Sequence, residues 1–533
     1  MDRMDRGVAF SSWRSRFERV SGATLALVVT GTLGRVITLL TQMVIAREFG
    51  VSMFSDAYFA MAIVPELFVS FIAVGFSTIF IPMFAEYRIT QGEHEAWRFA
   101  SSFLFLSTIV SLFLAAATAV CSPFLVSVLT PGFHGPARQI AVTLLRIMAF
   151  SIIFLGLDAG MFGLLNSHRE FIIPELARVT YNCVLLGVAW TLSSRFGVSV
   201  LAWGIVLAGV IRMTIQFLGA AKQGVLKLVW AFDHPGTRRA AKLLIPFVIA
   251  ISGVEIIFVL DRMVASGLSE GSIAALNYAS RIILLPIGIF ALPLRTTLYP
   301  TLSDFAAQSR LHELAETTLS GLKVLLFIII PACVGLAALR VPLTRLLFER
   351  GAFDRLATLA TGEALICYAS GVPAFAAIFF LNNAYFSLGD PFTLVKLNIV
   401  GWSTNLFLNL ILSRYLGHQG IALATAISAT LIVTLMIFFL KQDKLKSLSV
   451  KSLLDSVYKM VFISALMGLP LLLLPEKLND FLIQLQLNYE FLQLAILISI
   501  GASTYLIAAR LLRVDELVTL TTAFRKLFRV RCL

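Results

Sequence analysis

Charge is scarce in this sequence. Only 14% of the 533 residues are charged, whereas 58% are hydrophobic and the mean hydropathy is +0.89. A soluble protein has roughly 25% charged and 45–50% apolar residues. This composition excludes an ordinary soluble enzyme, a disordered protein and a nucleic-acid-binding protein.

Cysteine and histidine are also few. The five cysteines are odd in number and scattered, so they predict neither a disulfide framework nor a metal cluster. The six histidines show no paired ligand spacing. The chain has no GxxxxGK[ST] phosphate-binding loop and no catalytic constellation. We therefore expect a protein that is not an enzyme, has no bound cofactor and draws any energy it needs from the membrane potential or an ion gradient.

Long apolar segments fill most of the chain. About 20 apolar residues cross the hydrocarbon core of a bilayer, so a chain of this length holds about 13–15 spans with short loops. The sequence predicts an all-α polytopic membrane protein with about 14 transmembrane helices. The expected spans are 23–46, 56–85, 99–129, 138–166, 171–194, 198–220, 240–266, 272–303, 318–340, 357–387, 393–414, 419–440, 453–474 and 489–512.

The distribution of basic residues predicts the orientation. The net charge is +13, and most lysines and arginines fall at the two termini and in the connections after the sixth and twelfth spans. Cytoplasmic segments of membrane proteins collect such residues, so we expect both termini in the cytoplasm. The opposite side has one sizeable basic cluster: Arg340, Arg345, Arg350 and Arg355.

An internal repeat predicts two lobes. Two short motifs recur in the second half of the chain: Gly50-Val51-Ser52 with Thr78-x-x-x-Pro82, and Gly267-Leu268-Ser269 with Thr296-x-x-x-Pro300. The alternative is that two apolar segments are similar by chance. Six spans separate the copies, which indicates two six-helix lobes around a central cavity. The expected organisation is a basic N-terminus (1–22), an N-lobe (23–222), a C-lobe (238–441), two added helices (453–512) and a basic tail (513–533).

Several charged residues lie where lipid is expected. A charge at the centre of a lipid-facing helix is costly, so such groups face a cavity or an ionic partner. The candidates for binding substrate are Arg35, Asp56, Glu66, Arg212, Arg281 and Arg295. Several arginines in one cavity favour an anion, because guanidinium groups bind phosphate bidentately. Salt bridges inside the protein remain the alternative, for example between Asp158 and Arg212.

Five segments carry a resemblance to a known family: Phe49 to Ala57 with Pro65, Phe80 to Tyr87, Leu276 to Phe290, Leu347 to Phe353 and Ala384 to Thr393. The individual motifs are weak, but their order along the spans is specific. On these segments the sequence resembles the MurJ (MviN-like) lipid II flippases of the multidrug/oligosaccharidyl-lipid/polysaccharide transporter superfamily over about residues 22–510.

The resemblance implies a function. Such proteins move an undecaprenyl-diphosphate-linked peptidoglycan precursor across the bacterial inner membrane by alternating access, with the lipid tail in a groove of the last two helices. It implies that Arg35 and Arg281 are cavity arginines and that Asp56 is the acidic residue at the start of the second helix. It also implies a candidate sodium site at Asp261, Asn405, Asn409 and Thr425, with hydrogen bonding between helices as the alternative. The implied partners are the glycolipid, the bilayer and cell-wall synthesis proteins.

The sequence departs from the family at several positions. Family arginines are replaced near Thr41 and near Val69 and Ser70. The departures keep open an exporter of another polyprenyl-diphosphate-linked glycan. A cation-coupled drug antiporter is a further alternative, although its cavity would be acidic, and an inactive scaffold of a wall-synthesis complex is the last.

Overall fold

The computed structural model describes residues 30–168, 170–222, 229, 231, 233–251, 253–475, 478, 490–518 and 520. They divide into two compact units. The first unit contains the described residues up to Glu48, together with Ala57–Leu129 and Phe133–Val248. The second contains Phe49–Asp56, Thr130–Gly132 and the described residues from Ile249 onward. Two short segments of the N-terminal half thus belong to the second unit.

The regular structure is helical throughout the described ranges, with no strand among them. In chain order the helices are α1 (30–49), α2 (Met53–Gly75), α3 (Ile81–Thr90), α4 (Glu93–Val120), α5 (Ser122–Leu129), α6 (Gly135–Ser167), α7 (Ile172–Phe196), α8 (Ser199–Lys222), α9 (Pro235–Ile251), α10 (Gly253–Ala265), α11 (Ser272–Pro286), α12 (Leu292–Ala307), α13 (Leu311–Ala338), α14 (Arg340–Phe348), α15 (Arg355–Ser387), α16 (Pro391–Phe439), α17 (Val450–Leu473) and α18 (Glu490–Leu511).

Among the described residues, ten helical stretches are long and apolar enough to cross a bilayer. They confirm the prediction of an all-α polytopic membrane protein. The count of fourteen spans and the two-lobe organisation stay predictions. One of the ten stretches, Pro391–Lys444, has 54 residues. At 1.5 Å per residue, it would be roughly 80 Å long if straight, far more than one bilayer crossing.

A sharp break divides α16. Gly417 has φ +56° and ψ −136°, a conformation that a helix cannot contain and that favours glycine. The N-terminal end of α16 is capped by Asp390, which accepts hydrogen bonds from the Thr393 amide (3.2 Å) and hydroxyl (2.9 Å). Partial burial acts to raise the pKa of Asp390, but these hydrogen bonds and nearby Lys444 hold it below its ordinary value. The break lets two halves of α16 place side chains against one another.

The core of the first unit contains a cluster of aromatic rings. Phe76 and Phe80 of the π-helical segment between α2 and α3, and Phe84 of α3, cluster with Phe99 and Phe103 of α4. Ring centroids lie 4.9 Å apart for Phe76 and Phe103 and 5.7 Å apart for Phe80 and Phe99. These edge-on and offset arrangements are favourable for aromatic pairs.

Three π-helical segments occur among the described residues: Leu440–Lys444 follows α16, Phe76–Phe80 follows α2, and Ile287–Ala291 follows α11. The last two precede further helices of the same stretch. Pro286 directly precedes Ile287–Ala291, and Pro293 and Pro300 lie in α12 beyond it. Proline lacks the amide that would continue the hydrogen-bond ladder, and π segments often lie at functional sites. The extra residue per turn also rotates the following side chains, so Arg281 and Arg295 are not related by simple α-helical spacing.

The close approach of α15 and α16 generates a stability prediction. A Cβ at Gly371 would lie 2.6 Å from the Cα of Ala426, whereas a Cβ at Gly335 of α13 would meet nothing within 4 Å. We expect Gly371→Ala to destabilise the protein by about 1–3 kcal/mol through overpacking, and Gly335→Ala to have no such cost. Thermal unfolding of both variants in the same detergent tests this. Equal unfolding temperatures would contradict the packing described here.

Candidate functional site

In the first unit, Arg35 lies on α1 close to a second arginine. Arg178 of α7 is within electrostatic range of Arg35, and a Cβ at Gly31 would lie 3.6 Å from its Nη2 atom. Arg178 is itself held by Glu175, whose carboxylate accepts from its Nε atom at 3.0 Å. The small glycine on α1 thus admits the guanidinium of α7. The result is a cationic site that one carboxylate neutralises in part.

The polar contacts between α1 and α7 extend one turn further along α1. Asn182 donates from Nδ2 to the carbonyl oxygen of Gly34 at 3.3 Å. Sequence analysis missed both Arg178 and Asn182, because each lies on an otherwise unremarkable helix. Their role depends on which face of α7 meets α1, which apolar periodicity alone did not reveal.

Arg212 and Asp158 form an ion pair in the first unit. The Arg212 Nη2 atom of α8 lies 2.6 Å from the Asp158 Oδ2 atom of α6. Gln216, one turn further along α8, donates to the other carboxylate oxygen. The Arg212 guanidinium carbon also lies 5.8 Å from the ring centroid of Tyr181. This arrangement matches the alternative of an internal salt bridge, and Arg212 is not an isolated cation in this state.

Glu66 occupies a different environment. It follows Pro65 inside α2, and its side chain is exposed although the helix is apolar. It lies within electrostatic range of the Tyr181 hydroxyl, as do Arg212 and Asp158. The first unit therefore holds an exposed carboxylate and a buried carboxylate around one tyrosine.

In the second unit, Asp56 caps α11. Its two carboxylate oxygens accept hydrogen bonds from the Gly271 amide (2.6 Å) and the Ala274 amide (2.7 Å). A carboxylate at a helix N-terminus satisfies free amides and meets the positive end of the helix dipole. Gly271 has φ +88°, and a Cβ there would lie 2.3 Å from Val51. The sequence predicted that Asp56 binds substrate, but in the structure both of its carboxylate oxygens accept hydrogen bonds from backbone amides.

Arg281 and Arg295 lie on α11 and α12, on either side of the π segment, and both are partly buried. Arg295 donates from Nε to the Asn383 Oδ1 atom at 3.1 Å, and Asn383 Nδ2 donates back to the Arg295 carbonyl at 2.8 Å. This reciprocal pair ties α12 to α15 and fixes the guanidinium. Asn383 is a further residue that sequence analysis missed.

The four residues of the candidate sodium site meet in the second unit. The Asp261 Oδ1 atom accepts from Asn405 Nδ2 (3.2 Å) and Asn409 Nδ2 (2.8 Å), and Oδ2 accepts from the Thr425 hydroxyl (2.7 Å). Each of these side chains is buried. Asn405 and Asn409 precede the break at Gly417 and Thr425 follows it, so the kink in α16 assembles the group.

The chemistry of this cluster fits a hard cation. All its ligand atoms would be oxygens, from one carboxylate, two amides and one hydroxyl, as such a cation prefers. The Asn409 Oδ1 atom is buried and makes no hydrogen bond. Rotating the asparagine amides by half a turn would direct oxygens to the centre, because amide oxygen and nitrogen are nearly interchangeable in shape. Among the described residues, no group of three or more His, Cys, Asp or Glu side chains offers an alternative metal site.

The positions where family arginines are replaced differ in their surroundings. Thr41 is buried, and its hydroxyl donates to the Ile37 carbonyl one turn earlier at 2.9 Å. The Thr41 hydroxyl therefore has its hydrogen-bond partner within α1, and this position carries no positive charge. Val69 and Ser70 belong to α2, and their side chains lie outside the described part of the structure.

The Asp56 cap makes a testable prediction. Asp56→Asn keeps the size of the side chain but removes its charge and one acceptor, which costs about 1–3 kcal/mol for a charged hydrogen bond. We expect faster hydrogen exchange at the Gly271 and Ala274 amides, measured by mass spectrometry of the peptide that contains both. Glu270→Gln is the control, because its amide oxygen can still accept from the Met53 amide as Glu270 does at 2.8 Å. Unchanged exchange in Asp56→Asn would contradict the capping role.

Comparisons with known proteins agree on one family. A family model described as Lipid II flippase MurJ matches residues 45–491. A Burkholderia cenocepacia protein named lipid II flippase MurJ is 30% identical over 425 residues, which cover 77% of this chain and 80% of that protein.

A solved structure of lipid II flippase MurJ in an inward closed conformation matches with a TM-score of 0.77 and 25% identity, covering 92% of this chain and 99% of that chain. An inward-facing multidrug resistance MATE family transporter of the MOP superfamily matches with a TM-score of 0.65 and 16% identity, covering 78% of this chain and 97% of that one, which indicates a shared fold.

Proposed function

The chain belongs to the lipid II flippase MurJ family, and we propose that it moves lipid II across the inner membrane by alternating access. The family match over most of the chain is the observation that carries this proposal. It favours lipid II over another polyprenyl-diphosphate-linked glycan. A transporter of this kind shields the polar head group from hydrocarbon, because moving an unpaired charge into an apolar medium is very costly.

Arginines in both units are the proposed ligands of the diphosphate. In the first unit Arg35 has the cation Arg178 beside it, so their combined field favours an anion. In the second unit Arg281 and Arg295 flank a π segment, and Asn383 fixes the direction of Arg295. Arg212 and Glu66 are proposed as further contributors near the head group. The proposed role of Asp56 is to hold α11, which contains Arg281.

The last two helices are the proposed contact for the polyprenyl tail. Outward-facing residues of α17 such as Tyr458 and Phe462 are exposed and apolar, as a lipid-facing surface requires. Two polar contacts fasten these helices to α13. The Lys323 ammonium donates to the Ser452 hydroxyl of α17 at 2.7 Å, and the Tyr505 hydroxyl of α18 donates to the Phe327 carbonyl at 2.8 Å.

The protein is a multi-pass inner-membrane protein, and we propose that both of its termini lie in the cytoplasm. The concentration of lysine and arginine at the termini and in two connections supports this orientation. Cell-wall synthesis proteins are further proposed partners, because enzymes of that class make the lipid-linked precursor and consume it.

Transport is expected to depend on Arg35 and Arg281. Arg35→Ala and Arg281→Ala each remove a charge-assisted contact worth about 1.5–3 kcal/mol, so we expect lipid II binding to weaken roughly 10- to 100-fold. Binding is measured by native mass spectrometry against a phospholipid competitor, and flipping by lipid II exposure at the outer leaflet.

The control for this experiment is Arg47→Ala, because the Arg47 side chain is 52% exposed near the end of α1. It should bind and flip lipid II as the unaltered protein does. Full flipping by both Arg35→Ala and Arg281→Ala, at equal expression, would refute the assignment of the head-group ligands.

Sodium is the proposed coupling ion. Asp261, Asn405, Asn409 and Thr425 would hold it, and the bound ion would supply a fixed positive charge that neutralises the buried carboxylate. We expect sodium, but not choline, to raise the unfolding temperature of the purified protein, since a ligand that binds the folded state stabilises it. Asp261→Asn should abolish this sodium-dependent shift. A shift of equal size in the variant would contradict the site.

A further inference from the structure

The buried ion pair of the first unit has features that a purely structural ion pair would not need. Asp158 is 1% exposed, and its two oxygens contact Arg212 of α8 and Gln216 of the same helix. Removing one partner of a buried ion pair strongly destabilises the other charge. A charge buried at this depth must therefore keep its partner or lose its charge.

An acceptor beside the pair makes no hydrogen bond. The Gln216 Oε1 atom is unpartnered, and its side chain is 0% exposed. Arg212 Nε also makes no hydrogen bond. Buried polar atoms are almost always satisfied in native structures, and exceptions call for a role or a ligand. The Gln216 Oε1 atom can therefore accept one further hydrogen bond.

Gln216 can serve Asp158 in either protonation state. With Asp158 ionised, the amide nitrogen of Gln216 donates to it, as the structure shows. With Asp158 protonated, a half-turn of the amide would present Oε1 to accept from the new O–H group. A glutamine in this position therefore allows the carboxyl group to lose its charge without leaving an unsatisfied hydrogen.

Asp158 and the exposed Glu66 share Tyr181 as a neighbour. Tyr181 of α7 lies within electrostatic range of Arg212, Asp158 and Glu66, and the Glu66 side chain is exposed. Arg212 of α8 is the charged partner of Asp158. Ser111 of α4 does not titrate and faces Gly156, two residues before Asp158 on α6.

We propose that Asp158 is a proton-binding site in which Arg212 exchanges partners between Asp158 and an anionic phosphate group. When the phosphate binds, the Arg212–Asp158 ion pair breaks and Arg212 pairs with the phosphate oxygen. Asp158 then takes one proton from solution, so that no unpaired carboxylate remains buried. Release of the phosphate reverses both steps. The identity of the anion rests on the proposed function, while the proton site rests on this geometry.

Calorimetry of lipid II binding tests the exchange. The binding enthalpy of the full-length protein is measured in a series of buffers with different ionisation enthalpies at one pH. The slope against the buffer ionisation enthalpy gives the number of protons taken up. The diphosphate diester is ionised throughout at neutral pH, so uptake reports on the protein. We expect about one proton per bound lipid II, because one carboxylate changes its charge.

Two variants locate the proton. Asp158→Asn cannot take up a proton. We therefore expect this variant to bind lipid II with a binding enthalpy that does not depend on the ionisation enthalpy of the buffer. Arg212→Gln leaves Asp158 without its cation and therefore already protonated, so the slope should again be lost and binding should weaken. If Asp158→Asn does not fold, Arg212→Gln still tests the proposal. Glu270→Gln, which removes an exposed carboxylate of the other unit, should keep the slope.

The outcomes separate this inference from the proposed function. Lipid II binding by the unaltered protein with zero slope would overturn the proton site and leave the transport function standing. A slope that persists in both Asp158→Asn and Arg212→Gln would overturn it as well. Failure of the unaltered protein to bind lipid II, while it folds and inserts normally, would overturn the proposed function and with it the exchange.

Discussion

A bilayer interior offers no water to a polar side chain, so each charged group within it needs a partner inside the protein. This constraint accounts for most of the polar geometry described above. Asp56 finds two backbone amides at the start of α11. Asp261 finds two asparagines and a threonine of α16. The helices must be placed to within a few tenths of an ångström for such contacts to form, so pairing of charges also sets how the helices pack.

The same constraint explains where the backbone departs from regular helix. An interrupted ladder exposes amides and carbonyls, which is tolerated beside protein or a polar cavity. The π segment Ile287–Ala291 lies between the two arginines of α11 and α12, and the break at Gly417 lies between the two halves of the Asp261 cluster. In both places the irregular turn directs polar groups that a straight helix would point elsewhere.

Hydropathy and motif order were enough to predict the helical membrane fold and the family, because both depend on composition along the chain. The site was harder to predict. Asp158 with Arg212 was one of two possibilities, and the choice depended on how α6 and α8 are rotated. Arg178, Asn383 and Gln216 gave no signal, since a single polar residue in a helix does not reveal which neighbour it faces. The π segment after Pro286 also means that α-helical spacing alone does not give the angle between Arg281 and Arg295.

An anion transporter meets an electrostatic conflict that these pairings address. Cations strong enough to draw a diphosphate out of water are costly to bury when no anion is present. Arg35 illustrates the cost, because Arg178 adds a second positive charge nearby while Glu175 offsets it in part. Arg212 illustrates a remedy, since Asp158 neutralises it within the protein. A carboxylate that can yield its arginine by taking a proton keeps the site neutral in both states, and so lowers the barrier between them.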